Sequence, residues 1–548
     1  MTHRKIKMAK ELVKLVSSRL QQNKEDFVID HKIKDAIEGN PRIVFSLLYM
    51  LLKVHNPKGG VQKKSTAYQA TLILLEEALI LIRYSAERDR SWAIDIAEQI
   101  QRQIAEKVFK REVDIWIQAD LIHVLYESGL ELHPQIKVKS QEVIQYYSRF
   151  SARTGPPDIE KAFDAVISKA DGNPFEVYEL VMAELNLLPT EGQLTMIGEM
   201  VKSVNPLTRE ITSFMLLHPN PEIRIHVPIL VNHLARADTI SPLTLRRMIG
   251  LRNWLPEAER PALDELIKRV RHANVQCAPM PSVQSVEAYV SSFDGSGLQG
   301  AWIFSRKKQQ YQMAMMLVRQ GQGVHEAWGE THLRKKDKKS MLRDLLGNRM
   351  GTAVRPAFLE SQIPHFIWLG QQQNSPPHPL LLHVAETMGV MYWLPQSVDF
   401  DDAFASLETM AGSQSLSPEN ITKVMEESGY WPVGEHFAAS WFEDDARVDE
   451  LLKENFDFPI LGKDMMVQAI GLILVEILQD KTDLWCERLL WMALWARSCK
   501  DRTRSLWRKF FIIARELHKG TPLYQIPLML SVAQRSIYSA LRRMEDWS

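Results

Sequence analysis

Leu217-His218-Pro219-Asn220-Pro221-Glu222-Ile223-Arg224, followed by Ile225, Val227, Ile229, Leu230 and Leu234, is the stretch that decides the fold. Proline fixes φ and suits the first turn of a helix, so Pro219 and Pro221 end one helix and preset the entry of the next. Asn220 between them is a good N-cap. The apolar residues that follow keep helical spacing. The same punctuation returns at Ser241-Pro242, ahead of a helix over 241–251, and at Leu255-Pro256-Glu257, ahead of one over 256–270. Upstream, helical spacing over 158–170 is broken by Asp171-Gly172-Asn173-Pro174. Helices over 175–188 and 190–204 follow, and Asn205-Pro206-Leu207 breaks the second.

These short helix pairs resemble HEAT-type repeats across residues 158–272, and Arg224 stands where such repeats carry an arginine that ties neighbouring loops together. Pro219, Asn220, Pro221 and Arg224 are the residues that carry the resemblance. No strict period links one pair to the next, so the resemblance implies an irregular α-solenoid rather than a regular array.

Outward from this core the pattern stays helical. Residues 41–53, 67–83, 91–108 and 112–128 place apolar residues at i, i+3, i+4 and i+7, with a polar break at Asn56-Pro57-Lys58-Gly59-Gly60. Ala152-Arg153-Thr154-Gly155-Pro156-Pro157 reads as a linker. Residues 283–318 differ. Segments 286–293, 300–306 and 311–318 are rich in Val, Ile, Tyr, Phe and Trp, and are joined by Asp294-Gly295-Ser296-Gly297 and Lys307-Lys308-Gln309-Gln310, which predicts a small antiparallel β-meander. A helical alternative stands for 311–318, because Met and Gln favour helices. Beyond Trp328 the pattern returns to helices, through Arg334–Lys339 and the proline-rich loop 374–379. Further helices are expected at 418–428, 448–455, 464–480, 484–498, 502–517, 523–530 and 532–543. The expected architecture is therefore mainly α, an irregular HEAT-like solenoid with a β-meander insertion near 283–318. Its divisions are 1–152 (helical), 153–276 (HEAT-like repeats), 277–335 (β-rich) and 336–548 (helical).

Composition narrows the function classes. The chain has 548 residues, with 67 Lys and Arg against 67 Asp and Glu, so a polyanion-binding surface over the whole molecule is excluded while a local basic patch is not. The sparse cysteines Cys277, Cys486 and Cys499 form no disulfide framework and fit a reducing cytoplasm. The apolar runs 71–82 and 465–478 are shorter than the roughly 20 residues of a membrane span and carry Glu76, Glu77 and Glu476. The N-terminus is basic, with Arg4, Lys5, Lys7, Lys10, Lys14 and Arg19, but lacks the apolar region of a secretory signal. Its helical spacing reads as a first helix with a solvated basic face.

No catalytic, cofactor-binding or metal constellation emerges. There is no phosphate-cradling loop, nucleophile elbow or zinc helix, and Cys486 and Cys499 stand too far apart for zinc spacing. His226 and His233 would share a helix face, but Pro228 lies between them and no further ligand completes a set. Asp399, Asp401, Asp402, Glu443, Asp444 and Asp445 lie ahead of helices, where acidic residues cap. Asp294-Gly295-Ser296-Gly297 meets the needs of a turn, with Phe293 and Trp302 as core or hairpin residues.

Three functional readings follow. The leading one is a non-enzymatic helical-repeat scaffold or adaptor that binds a protein partner on an extended surface. The second is a nucleic-acid-binding protein using the basic C-terminal helices. Arg497, Lys500, Arg502, Arg504, Arg508, Lys509, Arg515 and Lys519 precede a segment, 532–543, that is similar to a helix-turn-helix recognition helix, with Arg535, Arg542 and Arg543 as its candidate contacts. The third is an enzyme whose site is assembled from distant residues beside 285–330.

Overall fold

The computed structural model describes residues 3–547 except 23–28, 30, 55–65, 88–89, 110–112, 114, 141, 143–158, 187, 237–238, 308–309 and 457–461. The expected linker at 152–157, the break at 56–60 and the centre of the 307–310 turn lie outside the described residues. The chain forms two compact units, one of residues 1–158 and 182–189 and one of residues 159–181 and 190–548.

In the first unit, helix Thr66–Ala86 sits against helices His3–Gln22, Ile43–Val54, Ser91–Ile104 and Ile115–Glu127. It holds that position because it buries one broad face, with Leu74, Leu75, Ala78, Leu79 and Ile82 among its residues. Polar pins fix the packing: the Tyr68 hydroxyl donates to Asp120 Oδ2 at 2.8 Å, and the Gln101 amide spans Glu131 O at 3.0 Å and the His133 N–H at 2.7 Å. The N-terminal helix turns Ala9, Val13 and Val16 inward and leaves Lys7, Lys10 and Lys14 exposed.

The second unit opens with helix Ile159–Lys169, helix Pro174–Leu185 as far as Val181, and helices Thr190–Lys202, Pro206–Ile211, Pro221–Leu234, Pro242–Arg252 and Arg260–His272. Their starts carry the caps read from the sequence. Asn205 accepts the Leu207 N–H, Asn220 the Glu222 N–H and Ser241 the Thr244 N–H, each with proline in the first helical turn.

A five-stranded antiparallel sheet follows, in the order β4-β3-β2-β1-β5, with β1 Ser285–Val290, β2 Leu298–Lys307, β3 Gln310–Arg319, β4 Gly323–Leu333 and β5 Thr352–Val354. Residues 311–318 are strand, not helix: Trp302 pairs Met315 and Phe304 pairs Met313 across β2 and β3. The return to helix expected beyond Trp328 comes later, because β4 runs on to Leu333 before helix Lys335–Gly347 begins. That helix packs Met341 and Leu342 onto the cluster of Phe304, Met313 and Leu333, and helices Ala357–Gln372 and Leu381–Met388 also pack on the sheet.

The β1–β2 turn is built by Asp294, whose Oδ1 accepts from the Ser296 N–H at 2.9 Å, the Ser296 hydroxyl at 2.7 Å and the Leu298 N–H at 2.9 Å. Gly295 is required there, since a Cβ would come within 1.8 Å of Ser440 O. Trp441 donates to Phe293 O at 2.9 Å and Arg488 to Gly295 O at 3.0 Å, so the turn is held by the helices that follow. Those helices include Phe400–Ser415, Pro418–Ser428, Ala446–Asn455, Lys463–Ile473, Thr482–Ser498, Trp507–His518 and Pro527–Trp547. The chain is thus mainly α with one small antiparallel sheet. Among the described residues, no helix is long and apolar enough to cross a membrane.

Candidate docking surface

The structure places Arg224 inside the protein, 2% exposed. Its guanidinium donates to His218 O at 2.7 Å, grips Glu259 at 2.6 and 2.8 Å, and reaches Asn374 O at 3.4 Å. One side chain therefore joins the 218–219 turn to the start of helix Arg260–His272 and to the loop ahead of helix Leu381–Met388. Pro219 and Pro221 flank the Asn220 cap, and all four motif residues serve the backbone. His218 is buried beside them. Its Nδ1 accepts the Asn220 N–H at 3.0 Å, and burial pushes its imidazole down to about 4.

A second buried network lies on helix Pro242–Arg252. Arg247 donates to both Glu386 oxygens at 2.9 and 3.0 Å and to Glu210 at 2.5 Å, and its guanidinium faces the Phe175 and Phe214 rings. Arg246 meets Glu386 at 2.6 Å, and the Tyr392 hydroxyl, itself 3.1 Å from Arg246, donates to Glu386 at 3.0 Å. Burial opposes ionisation of Glu386, but the two guanidiniums overcome it and hold the carboxyl down at about 2. A carboxylate that accepts four hydrogen bonds and is held ionised between two guanidiniums is not set up for acid–base work. The arrangement is a clamp between helices.

The remaining candidates are dispersed. His226 and His233 are exposed, and Asp399 and Asp445 accept the Asp402 and Arg447 N–H groups as helix caps. Cys486 and Cys499 are buried, which pushes each thiol up to about 12, while Cys277 is exposed. Beside the sheet, His383 is sealed with Nε2 3.1 Å from Met313 O, and burial pushes its imidazole down to about 4. Glu179 lies 3.7 Å from His378 Nε2 with half its side chain exposed, and partial desolvation together with the Glu326 carboxylate lifts its carboxyl to about 7.

The C-terminal basic residues separate into two groups. Lys509 is paired with Glu427 at 2.6 Å and Arg515 with Glu408 at 2.7 Å, and the Arg535 guanidinium lies over the Phe442 ring. Arg497, Lys500, Arg502 and Arg504 are exposed. Residues 527–547 form one continuous helix, so no turn separates the segment carrying Arg535 and Arg542 from a preceding helix. Arg542 is exposed, and the side chain of Arg543 lies outside the described residues.

The feature that spacing could not reveal is an apolar groove of about 630 Å³ between the 431–434 turn, helix Lys463–Ile473 with its π-helical extension Leu474–Leu478, and the start of helix Pro527–Trp547. Tyr430 (77% exposed), Val433 (77%), Val467 (66%) and Tyr524 (65%) stand around it, with Ile470, Leu474 and Leu530 on its walls. Ser531 and Gln534 supply uncharged polarity along one side. Grouped large apolar side chains at such exposure mark an interaction surface, whereas single ones do not. A π-helical segment on a wall fits that use.

Comparison with known proteins agrees with the helical reading and locates the groove. Residues 401–541 match the family described as the Y4lR C-terminal helical domain, and residues 189–274 match the Y4lR second domain. The chain is 22% identical over 306 residues to "Uncharacterized protein y4lR" of Sinorhizobium fredii, a match that covers 54% of this chain and 56% of that protein. No solved structure matches. The groove lies wholly within the 401–541 match.

Proposed function

We propose that the protein is a non-enzymatic scaffold or adaptor of the cytoplasm, whose helix pairs over 159–272 stack as an irregular HEAT-like solenoid. Its C-terminal helices bind a protein partner. The observation that carries this reading is the groove around Tyr430, Val433, Val467 and Tyr524. Its occupant is an amphipathic helix of the partner. The walls are helices with uncharged apolar side chains, the geometry into which a helix lays its apolar face. The exposed carboxylates Glu426 and Glu435 bracket the Tyr430–Val433 wall and favour a basic residue at the end of that helix. Support for the solenoid comes from the proline-capped starts of successive helices and from Arg224 joining loops of different pairs. Each large apolar side chain that becomes covered contributes up to roughly 1.5–3 kcal/mol, which the partner's contacts must raise above the cost of association.

The test places a photo-crosslinking benzoylphenylalanine at Tyr524 in cells that make the protein. The reading expects one cross-linked protein which, once purified, binds the chain at a fixed stoichiometry. It also expects Val433→Asp and Val467→Asp each to weaken that binding by at least about tenfold, the effect of losing a central apolar anchor. A cross-link only to a second copy of the chain, or binding unaffected by both substitutions, overturns it.

A further inference from the structure

Five basic residues form one exposed strip, four close together in sequence and the fifth brought to them from a distant part of the chain. The segment that follows helix Thr482–Ser498 adds to the sheet beside β5. Val354 bridges Cys499, the Arg355 N–H donates to Ser498 O at 3.1 Å, and the Lys500 N–H donates to Ala353 O at 2.9 Å. This antiparallel pairing sets Arg355 beside Ser498 and Lys500, next to Arg497 at the end of the helix and ahead of the turn that carries Arg502 and Arg504. All five basic side chains are exposed. The intervening carboxylate, Asp501, caps the following turn, its Oδ1 accepting the Thr503 N–H at 2.9 Å, and offsets one of the five positive charges. Among the described residues, the ion pairs of this region use Lys509 and Arg515 instead. The strip therefore holds a local positive excess on a chain whose total is zero.

We propose that this strip binds the phosphodiester backbone of nucleic acid. Between 497 and 505 the exposed residues are charged or carry a hydroxyl, and none is a large apolar side chain. A protein interface would need an apolar or aromatic anchor there, whereas phosphate backbones are held by charge and hydroxyl groups alone. Four of the five cations are arginine, whose planar fork engages two phosphate oxygens at once. The strip reads no bases, so binding is indifferent to sequence and steep in salt. It differs from the C-terminal helix, where Arg535 is folded against Phe442.

The experiment measures anisotropy of labelled random-sequence 30-mers, single-stranded and duplex, with the full chain over a range of salt. The expected result is binding at low salt that falls as a power of salt concentration, with an exponent of about 3–5 for a strip of this size. The double variant Arg502→Glu/Arg504→Glu should weaken binding by at least about tenfold and lower the exponent by about 2. Arg502→Gln/Arg504→Gln should fall between it and the wild type, and Arg535→Ala should leave binding unchanged. The inference is overturned if the wild type does not bind at low salt or binds independently of salt. It is overturned equally if both double variants bind as the wild type does, or if labelled poly-glutamate of equal charge binds more tightly than either oligonucleotide, which would make the strip a surface for acidic protein.

Discussion

Replacing Glu386 by glutamine removes the charge that faces both Arg246 and Arg247. The side chains of all three are almost wholly inside the protein. A carboxyl held at about 2 instead of 4.5 corresponds to about 3 kcal/mol of stability at neutral pH. That agrees with the roughly 3–5 kcal/mol expected when one partner of a buried pair is deleted and a guanidinium is stranded. Glu210 still faces Arg247, which places the expected loss at the lower end. The sign with pH follows from the direction of the shift. The folded carboxyl is the stronger acid, so its contribution is complete above about pH 4.5 and is lost as pH falls toward 2. Urea unfolding can be followed by tryptophan fluorescence, because Trp254 packs edge-on against Tyr392 at 6.1 Å and donates to Trp393 O. Glu386→Gln should lose about 3 kcal/mol at pH 7, and the gap to the wild type should shrink by more than half by about pH 3. A loss under about 1 kcal/mol at pH 7, the size of an exposed pair, would refute the clamp. So would a gap that stays constant down to pH 3.

Other consequences are as direct. Arg224→Ala strands Glu259 and the 218–219 carbonyls and should cost about 3 kcal/mol in the same unfolding assay, with lysine restoring only part because it cannot fork. Under native conditions a thiol reagent should modify Cys277 first and alone, with Cys486 and Cys499 reacting only on unfolding; three rapid equivalents would contradict their burial. Glu179 holds its proton to about 7, so its carboxylate opposes folding as pH rises from 4.5 through 7. Glu179→Gln should accordingly gain stability over the wild type at pH 8 and match it near pH 4, and equal stability at both would contradict the shift.

Local chemistry carried the parts of the fold that were legible in advance. Proline and cap residues at Asn220-Pro221 and Ser241-Pro242 announce helix starts because each acts within a turn of its own position. Asp294-Gly295 announces the β1–β2 turn for the same reason. Strand β4 was hidden by Glu326, Glu330, Thr331 and His332, which its partly exposed face tolerates, and by irregular register against β3 at both ends. The three-residue β5 is too short for any period to register. The clamp was illegible because Arg246 and Glu386 stand 140 residues apart. The groove was illegible for a different reason. Tyr430, Val433 and Val467 have the same residue types and spacing as core positions, and only the packing of neighbouring helices leaves them uncovered. Arg497, Lys500, Arg502 and Arg504 were visible as a basic run, but the addition of Arg355 to it depends on the bridge between Val354 and Cys499.

Hydrogen exchange of the full chain, alone and saturated with the partner cross-linked through position 524, tests the scaffold reading most directly. Protection should concentrate at 429–434, 463–474 and 524–534, the segments that line the groove. Exchange unchanged there, with protection appearing on another face of the protein, would contradict it.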